Sequence, residues 1–227
     1  MKLSVIIPVY NEEKTLRKII SKVESVKGID KEIVLVDDAS SDKIREILES
    51  YEKKKGYKIL YHDKNQGKGG ALKTGFKASS GDYVVVQDAD LEYNPNDYHL
   101  LLKELKEGEY NVVYGSRFMG DMRGMGSLAL LANKFLTFLT NFLFGQSLTD
   151  METCYKLIPR KIIEKVDIKS MRFNFEPEIT AKILKMGYKI KEVPISYNAR
   201  THKEGKHITW KDGLHAVWTL IKFRFTD

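Results

Sequence analysis

Between residues 1 and 115 the chain alternates short apolar runs with segments of helical period, and this pattern constrains the fold most. The apolar runs lack polar residues at every second position, which indicates strands covered on both faces, as in parallel sheets. Strands that alternate with helices predict an α/β fold with a mostly parallel, doubly wound central sheet flanked by helices. The predicted strands are Leu3–Val9, Glu32–Val36, Lys58–Tyr61, Asp82–Gln87 and Asn111–Tyr114, and the predicted helices are Glu12–Val26, Asp42–Tyr51, Gly69–Ala78 and Pro95–Lys106.

Polar and acidic side chains follow three of the predicted strands. They are Tyr10, Asn11 and Glu12 after the first strand, Asp37 and Asp38 after the second, and Asp88 and Asp90 after the fourth. Because ligands of such sheets bind beyond the carboxyl ends of the strands, we expect these side chains to share one site. Helix capping is the alternative for Asp38 and Asp42. Carboxylates gathered at one place fit a divalent cation, since Mg²⁺ and Mn²⁺ bind one or two carboxylates and complete their shell with phosphate oxygens.

The positive charge of the chain is concentrated near its C-terminal end. The formal net charge is +7, and from position 151 onward there are 16 basic and 9 acidic residues, whereas the two signs are equal in number before it. Such a block favours contact with an anionic partner such as a phosphate, a nucleic acid or an acidic membrane surface. A basic face that is merely solvated is the alternative.

The N-terminal residues and the cysteine content predict a cytoplasmic protein. The first apolar run is too short for the core of a secretory signal peptide. The single cysteine, Cys154, excludes an intramolecular disulfide and fits a reducing compartment. We interpret Cys154 as a small buried side chain rather than as a reactive thiol.

The glycine-rich stretch NQGKGGAL, residues 65–72, could place backbone amides and Lys68 at a helix N-terminus, where anions bind. It is not a P-loop, because no glycine precedes Lys73 and Thr74 in the required way, and it follows the third strand rather than the first, unlike a dinucleotide fingerprint. The sequence also lacks an HExxH-like histidine pair, a zinc-type cysteine cluster and the GxSxG element of α/β-hydrolases.

Several stretches, taken together, resemble the family-2 glycosyltransferases with the GT-A fold, and among them the dolichyl-phosphate (polyprenyl-phosphate) sugar synthases. The stretches are SVIIPVYNEE, VLVDDASSD, NQGKGGALKTGFKASSGDYVVVQDADLEYNP, VVYGSRF, TDMETCYKLIPR, FEPEITAKI and EVPISYNAR. The resemblance implies one glycosyltransferase domain over residues 1–227, with a nucleotide-sugar-binding half (1–118) and an acceptor-binding, membrane-surface half (119–227). It implies inverting transfer of a hexose from GDP-mannose or a UDP-hexose to a polyprenyl (dolichyl) phosphate, with Mg²⁺ or Mn²⁺ as cofactor.

The resemblance also implies roles for individual residues. Asp88 and Asp90 form the DXD element of the family, which binds the metal and the donor diphosphate. Many members of this branch have glutamine where this chain has Glu92, and the extra acid would join the metal shell or shift the metal preference. Arg117 would approach the donor sugar or the acceptor phosphate. The implied catalytic residues are Asp90 and Arg117; the nucleotide-sugar-binding residues are Pro8, Tyr10, Glu12, Asp37, Lys68, Asp88, Arg200 and Lys206; and the acceptor-binding residues are Arg117, Lys134 and Asp150.

The chemistry of the acceptor decides whether a base is needed. A polyprenyl phosphate oxygen is already anionic near neutral pH, so the enzyme would chiefly position two anions and screen their charges with metal, arginine and lysine. A saccharide hydroxyl, the alternative acceptor, needs a general base, for which Asp150 or Glu152 is the candidate. A non-catalytic nucleotide-sugar- or lipid-binding subunit is a further alternative, which the intact DXD element argues against.

Two segments predict contact with a membrane surface. The window Ser127–Phe144 is short for a transmembrane helix, which needs about 20 apolar residues, and it is amphipathic as a helix. A core helix is the alternative. The last segment has the same character, with tryptophans and cations suited to lipid headgroups. The apolar positions are Leu128, Leu131, Phe135, Phe138 and Phe142 in the first segment, and Trp210, Leu214, Val217, Trp218, Ile221 and Phe225 in the second.

These helices predict a peripheral enzyme on the cytoplasmic face of a membrane. Anchoring is expected to come from the two amphipathic segments or from a membrane-anchored protein partner. A nucleic-acid-binding protein would account for the basic end of the chain but not for the clustered acids, and the aromatic residues follow a helical period. No nucleic-acid partner is therefore expected.

Overall fold

The computed structural model describes residues 1–107, 110–200 and 210–226, which form two sheets surrounded by helices. The strands are β1 Leu3–Val9, β2 Lys31–Asp37, β3 Tyr57–Tyr61, β4 Tyr83–Val86, β5 Val112–Ser116, β6 Met122–Arg123, β7 Lys156–Pro159, β8 Ile190–Pro194 and β9 Tyr197–Asn198. The helices are α1 Leu16–Ser25, α2 Ile44–Glu49, α3 Gly67–Ala78, α4 Tyr98–Glu107, α5 Ser127–Phe144, α6 Arg160–Ile163, α7 Phe175–Lys185 and α8 Trp210–Phe225, and a 3₁₀ turn, Pro95–Asp97, precedes α4.

The main sheet has seven strands in the order β3-β2-β1-β4-β7-β5-β8, and the small second sheet pairs β6 with β9. Strands β3, β2, β1 and β4 run parallel to one another, as their apolar runs predict, and β5 is parallel to β8. The fifth predicted strand does not lie beside β4, because β7 inserts between them and runs antiparallel to both. The expected fold class, a mostly parallel central sheet flanked by helices, is confirmed.

Helices α1 and α2 begin later than their sequence period predicts. Helix α1 begins at Leu16 rather than Glu12, and the Glu12 carboxylate accepts a hydrogen bond from the Thr15 hydroxyl at 2.8 Å. Helix α2 begins at Ile44, whose amide donates to Asp42 Oδ1 at 3.2 Å, so Asp42 caps the helix instead of belonging to it. In both cases a polar side chain ends the loop from the preceding strand.

Helices α5, α7 and α8 pack against one another in the second half of the chain. A small apolar cluster joins α5 to α8 through Leu136, Ala216 and Leu220. Of the 18 residues of α5, only Leu136, Thr137 and Thr140 are buried, so the core-helix interpretation of this window is wrong. By length and composition alone α5 is apolar enough to cross a membrane. The exposed apolar side chains of the two helices are Leu128, Leu131, Phe135, Phe138 and Phe142 of α5 and Trp210, Leu214, Trp218, Ile221 and Phe225 of α8.

Candidate active site

Arg200 joins the loop after β1 to the loop after β4. Its Nη2 lies 2.9 Å from Glu12 Oε1 and 3.4 Å from Asp90 Oδ2. Since β1 and β4 are neighbouring parallel strands, their carboxyl ends meet at one edge of the sheet. The structure thus brings together three residues that are far apart in sequence, and two of them, Glu12 and Asp90, follow the ends of strands.

The backbone is strained at the same edge. Asn11, Ala39 and Leu91, which are the described non-glycine residues with positive φ, have φ values of 54°, 59° and 66°. One of them follows each of the strands β1, β2 and β4. A left-handed conformation costs a residue with a side chain roughly 1–3 kcal/mol and tends to occur at functional sites. This clustering marks the carboxyl edge of the sheet as the candidate site.

Lys68 lies between two carboxylates at the carboxyl edge of the sheet, which we call the cleft. Its Nζ is 2.9 Å from Asp88 Oδ1 and 2.8 Å from Glu176 Oε1. Burial by itself would lower the pKa of Lys68, but the charges of Asp88 and Glu176 outweigh it and raise this pKa well above its usual value. Lys68 is therefore a fixed positive charge directly beside Asp88.

The positive charge around Asp90 does not balance the negative charges of the neighbouring carboxylates. Burial, then the negative charges of Asp88 and Glu92, raise the pKa of Asp90 to about 7, although the Glu92 amide and Arg200 oppose the shift. A divalent cation would relieve this repulsion, and Mg²⁺ or Mn²⁺ commonly uses one or two carboxylates together with substrate phosphates. Asp88 and Asp90 therefore fit as the protein ligands of such an ion.

Glu92 joins the loop after β4 to the segment that carries Arg200. Its Oε2 accepts a hydrogen bond from the Tyr197 hydroxyl, and its Oε1 accepts one from the Arg200 amide, both at 2.6 Å. In residues 1–107, 110–200 and 210–226 no three histidine, cysteine, aspartate or glutamate side chains are grouped so that they could hold a metal ion. The Glu92 carboxylate thus holds the segment that carries Arg200, and its role as a metal ligand stays a prediction.

The glycine-rich stretch serves close packing more than anion binding. The amides of Gln66 and Gly67 donate to the Asp38 carboxylate at 2.8 and 2.7 Å, so Asp38 caps the start of α3. A Cβ atom at Gly69 would lie 2.1 Å from the carbonyl oxygen of Ser170. Asp38 therefore accepts from two of these amides, and the Lys68 ammonium faces Asp88 and Glu176.

Arg117 and Asp150 form a buried ion pair on the other side of the cleft. Arg117 Nε and Nη2 donate to the two Asp150 oxygens, both at 2.7 Å, and Nη2 also donates to Asn133 of α5 at 2.9 Å. Burial would lower the pKa of Arg117, but its interactions with Tyr93 and Asp150 raise it well above its usual value. Asp150 is completely buried and engaged by Arg117, so acting as a base would require it to leave this pair.

A cavity of about 370 Å³ lies next to this ion pair. Phe118 and Thr149, which line it, are the sequence neighbours of Arg117 and Asp150. Lys134 and Phe138 line it from α5, so a cation and an exposed aromatic ring face the same space. The full lining is Phe118, Lys134, Thr137, Phe138, Asn141, Leu148 and Thr149.

The remaining predicted residues lie in or just after β1 and β2, with one exception. Pro8 is part of β1, Tyr10 is exposed just beyond it, and Asp37 ends β2, where its Oδ1 accepts a hydrogen bond from the Ser40 amide at 3.0 Å. Lys206 lies outside the described residues. Sequence reasoning missed Glu176, the second partner of Lys68, although its stretch FEPEIT was noticed.

Comparisons with known proteins identify the family of the chain. The sequence model of "Glycosyl transferase family 2" matches residues 4–167. The dolichol-phosphate mannosyltransferase of Pyrococcus furiosus is 30% identical over 212 residues, covering 91% of this chain and 59% of that protein. The dolichyl-phosphate beta-glucosyltransferase of Trichomonas vaginalis is 30% identical over 215 residues, covering 86% of this chain and 65% of that protein. The chain thus spans less than two thirds of the length of these two relatives.

The fold also matches a solved structure. Glucosyl-3-phosphoglycerate synthase from Mycobacterium tuberculosis, crystallised with Mn²⁺, UDP and glucosyl-3-phosphoglycerate, superposes with a TM-score of 0.76 at 20% sequence identity. The match covers 100% of this chain and 81% of the other. A further crystal structure of that synthase contains Mg²⁺ and UDP. At this low identity the likeness establishes the fold alone.

Proposed function

The chain belongs to the family-2 glycosyltransferases and has the GT-A fold, and on that premise we propose that it transfers a hexose from a nucleotide sugar to a polyprenyl phosphate at a membrane surface. One observation carries this proposal. Helix α5 contacts the cleft through the hydrogen bond between Asn133 and Arg117, and the same helix exposes a row of large apolar side chains. A substrate with an anionic head and an apolar chain fits both features at once.

The donor would bind at the strand ends. Tyr10, Pro8, Glu12 and Asp37 would hold the base and ribose of a GDP- or UDP-sugar. Asp88 and Asp90 would hold Mg²⁺ or Mn²⁺, which when bound would neutralise the donor diphosphate and its leaving group. The solved structures of the mycobacterial synthase with Mn²⁺ or Mg²⁺ and UDP support this assignment. Lys68 and Arg200 would add fixed positive charge around the diphosphate.

The acceptor phosphate would approach from the cavity beside Arg117. An oxygen of the phosphate forms the new bond to the anomeric carbon while the bond from that carbon to the diphosphate oxygen breaks, with inversion. The attacking oxygen is already anionic, so no side chain has to remove a proton. The absence of a base fits the structure, because Arg117 engages both Asp150 oxygens. Arg117 and Lys134 would attract and orient the phosphate. The relatives that act with dolichyl phosphates support the same acceptor class.

The exposed apolar rows of α5 and α8 would lie in the headgroup region of the membrane. The cations near the end of α8, Lys222 and Arg224, suit an anionic lipid surface. We place the enzyme on the cytoplasmic face, held there by these helices or by a membrane-anchored protein partner.

A transfer assay tests the proposal. The purified chain is incubated with GDP- or UDP-sugars, Mg²⁺ or Mn²⁺, and either a short polyprenyl phosphate or a free oligosaccharide. Product on the lipid phosphate is expected, and it would also identify the donor. Product on the oligosaccharide alone would overturn the phosphate-acceptor mechanism and make Asp150 or Glu152 the candidate base.

A further inference from the structure

Glu152 has a carboxylate oxygen that the described structure does not satisfy. Its Oε1 is shielded from solvent and has no hydrogen-bond partner in residues 1–107, 110–200 and 210–226. A buried polar atom without a partner destabilises the folded state, and folded proteins rarely leave one. The residue as a whole is partly exposed, so it lies at the wall of the cleft and not deep in the core. Such an oxygen is suited to a ligand.

The segment that carries Glu152 connects the two halves of the candidate active site. Asp150, two residues before it, pairs with Arg117 on the acceptor side. Cys154, two residues after it, has its Sγ 3.5 Å from the carbonyl oxygen of Val86, two residues before Asp88 on the donor side. Two residues of extended chain span at most about 7 Å, so the backbone of Glu152 lies within that distance of both Asp150 and Cys154, between the acceptor side and the donor side of the proposed reaction. The sugar that passes between them would occupy this space.

A buried lysine holds this segment in place. Lys156 Nζ donates to the carbonyl oxygen of Met151 at 2.8 Å and also to that of Thr153. These two residues flank Glu152, so its backbone is clamped on both sides. The Lys156 ammonium also lies 4.7 Å from the centre of the Tyr114 ring, and the residue is almost completely buried. A carboxyl group mounted on so firmly held a backbone can discriminate between positions of a bound group.

The surroundings of Glu152 favour a neutral carboxyl group. Burial first, and the charge of Glu176 next, raise the pKa of Glu152 above its ordinary value, while Lys156 and Arg117 oppose the shift. A protonated carboxyl can donate one hydrogen bond and accept another, which matches a hydroxyl group that does both. It also adds no negative charge beside a diphosphate.

We propose that Glu152 binds a hydroxyl group of the transferred hexose and thereby selects among nucleotide sugars. This inference rests on the proposed sugar transfer, because the sugar has to lie between the two halves of the site. Glu152 would contact the sugar directly and would take no part in removing a proton from the acceptor.

Donor binding tests the proposal without requiring an acceptor. Calorimetric titration with Mn²⁺ present compares GDP-mannose with GDP, and UDP-glucose with UDP, in the wild type and in Glu152→Ala. For the donor that the wild type prefers, we expect Glu152→Ala to lower the affinity for the nucleotide sugar at least 10-fold. The affinity for the corresponding nucleoside diphosphate should fall less than 2-fold. Equal weakening of both ligands, or of neither, would overturn the proposal. Glu164→Ala, at an exposed residue paired with Arg160, is the control and should change neither affinity.

Deoxy-sugar donors identify the hydroxyl. Removing the contacted hydroxyl from the donor should weaken wild-type binding and have little further effect in Glu152→Ala, whereas discrimination that survives in the variant would contradict the contact. Glu152→Gln keeps the shape and the hydrogen-bonding capacity of the side chain, so it should retain more affinity for the nucleotide sugar than Glu152→Ala. It also serves as a control for loss of folding. If the wild type binds a nucleotide sugar with this signature but transfers nothing to lipid phosphate, the proposed acceptor fails and the role of Glu152 stands.

Discussion

The guanidinium of Arg117 and the carboxylate of Asp150 form a two-bond ion pair inside the protein, with both N–O distances at 2.7 Å. The exposed pair Arg123 and Asp121 has the same two-bond form, with distances of 3.2 and 2.8 Å. The chain therefore offers a buried and an exposed example of one interaction. Removing a partner from the buried pair leaves an uncompensated charge, whereas solvent replaces a lost partner at the surface.

Asp150→Asn should accordingly lower the free energy of unfolding by about 3 kcal/mol, because Arg117 stays buried without its counter-charge. Urea denaturation monitored by circular dichroism measures the change. Asp121→Asn is the matched control and should alter the free energy of unfolding by less than about 0.5 kcal/mol. Equal losses in the two variants would show that burial of the Arg117 pair does not matter for stability.

The parallel half of the sheet could be predicted because each of its strands is a continuous apolar run. The position of β7 could not be predicted, since its pairing with β4 and β5 joins residues that are far apart in sequence. Its first residue is Lys156, a buried charge whose ammonium is satisfied by backbone carbonyls. That lysine interrupts the apolar pattern by which a strand is recognised.

The candidate site could be predicted only as far as local sequence reaches. Acids at strand ends indicated where the cleft lies, because strand direction determines which ends meet. The partners of those acids could not be inferred, since Lys68 meets Glu176 and Glu12 meets Arg200 over more than 100 residues of sequence. The contacts of Glu92 could not be inferred for the same reason, as its partners Tyr197 and Arg200 come from a distant segment. The division of the chain near residue 118 stays a prediction.

Asp90→Ala should lower kcat/KM for metal-dependent turnover of the nucleotide sugar by at least about 100-fold, because one of the two metal-binding carboxylates is lost. The fold should be kept, because Asp90 hydrogen-bonds within its own loop and to Arg200. A chelator added to the wild type should have the same effect, reversed by Mg²⁺ or Mn²⁺. Asp30→Ala, at an exposed loop residue before β2, is the control. Near-normal activity of Asp90→Ala would refute the assignment of the DXD acids.

Glu32 is a buried carboxylate at the opposite end of the sheet from the cleft. It accepts hydrogen bonds from Lys2, Ser4 and the amide and hydroxyl of Ser80, at distances from 2.5 to 2.8 Å. Burial alone would raise the pKa of Glu32, but these hydrogen bonds outweigh it and hold this pKa far below its ordinary value. A carboxyl whose pKa is lower in the folded state stabilises the protein when the pH lies above its unfolded-state pKa of about 4.3. That stabilisation is lost as the pH falls toward the folded-state pKa.

Glu32→Gln should therefore lower the free energy of unfolding by about 2–4 kcal/mol at pH 7, since it removes the charge from several hydrogen bonds. The difference from the wild type should shrink as the pH falls below about 5. Urea denaturation at pH 7, 5 and 4 measures it. Glu49→Gln, at an exposed residue of α2, should show no comparable dependence. A difference that is constant with pH would mean that the Glu32 charge is not what stabilises the fold.

The exposed rows of α5 and α8 should bind lipid through individual side chains. Phe138 and Trp218 are 66% and 65% exposed, and burying one such side chain in the headgroup region contributes about 1.5–3 kcal/mol. Phe138→Ser and Trp218→Ser should each weaken sedimentation with anionic vesicles by about 10-fold or more, on the basis of that contribution. Leu100→Ser, at a residue 43% exposed on α4, removes apolar surface elsewhere and should leave vesicle binding unchanged. If the three variants behave alike, lipid does not bind through these helices, and a protein partner becomes the expected occupant of their apolar faces.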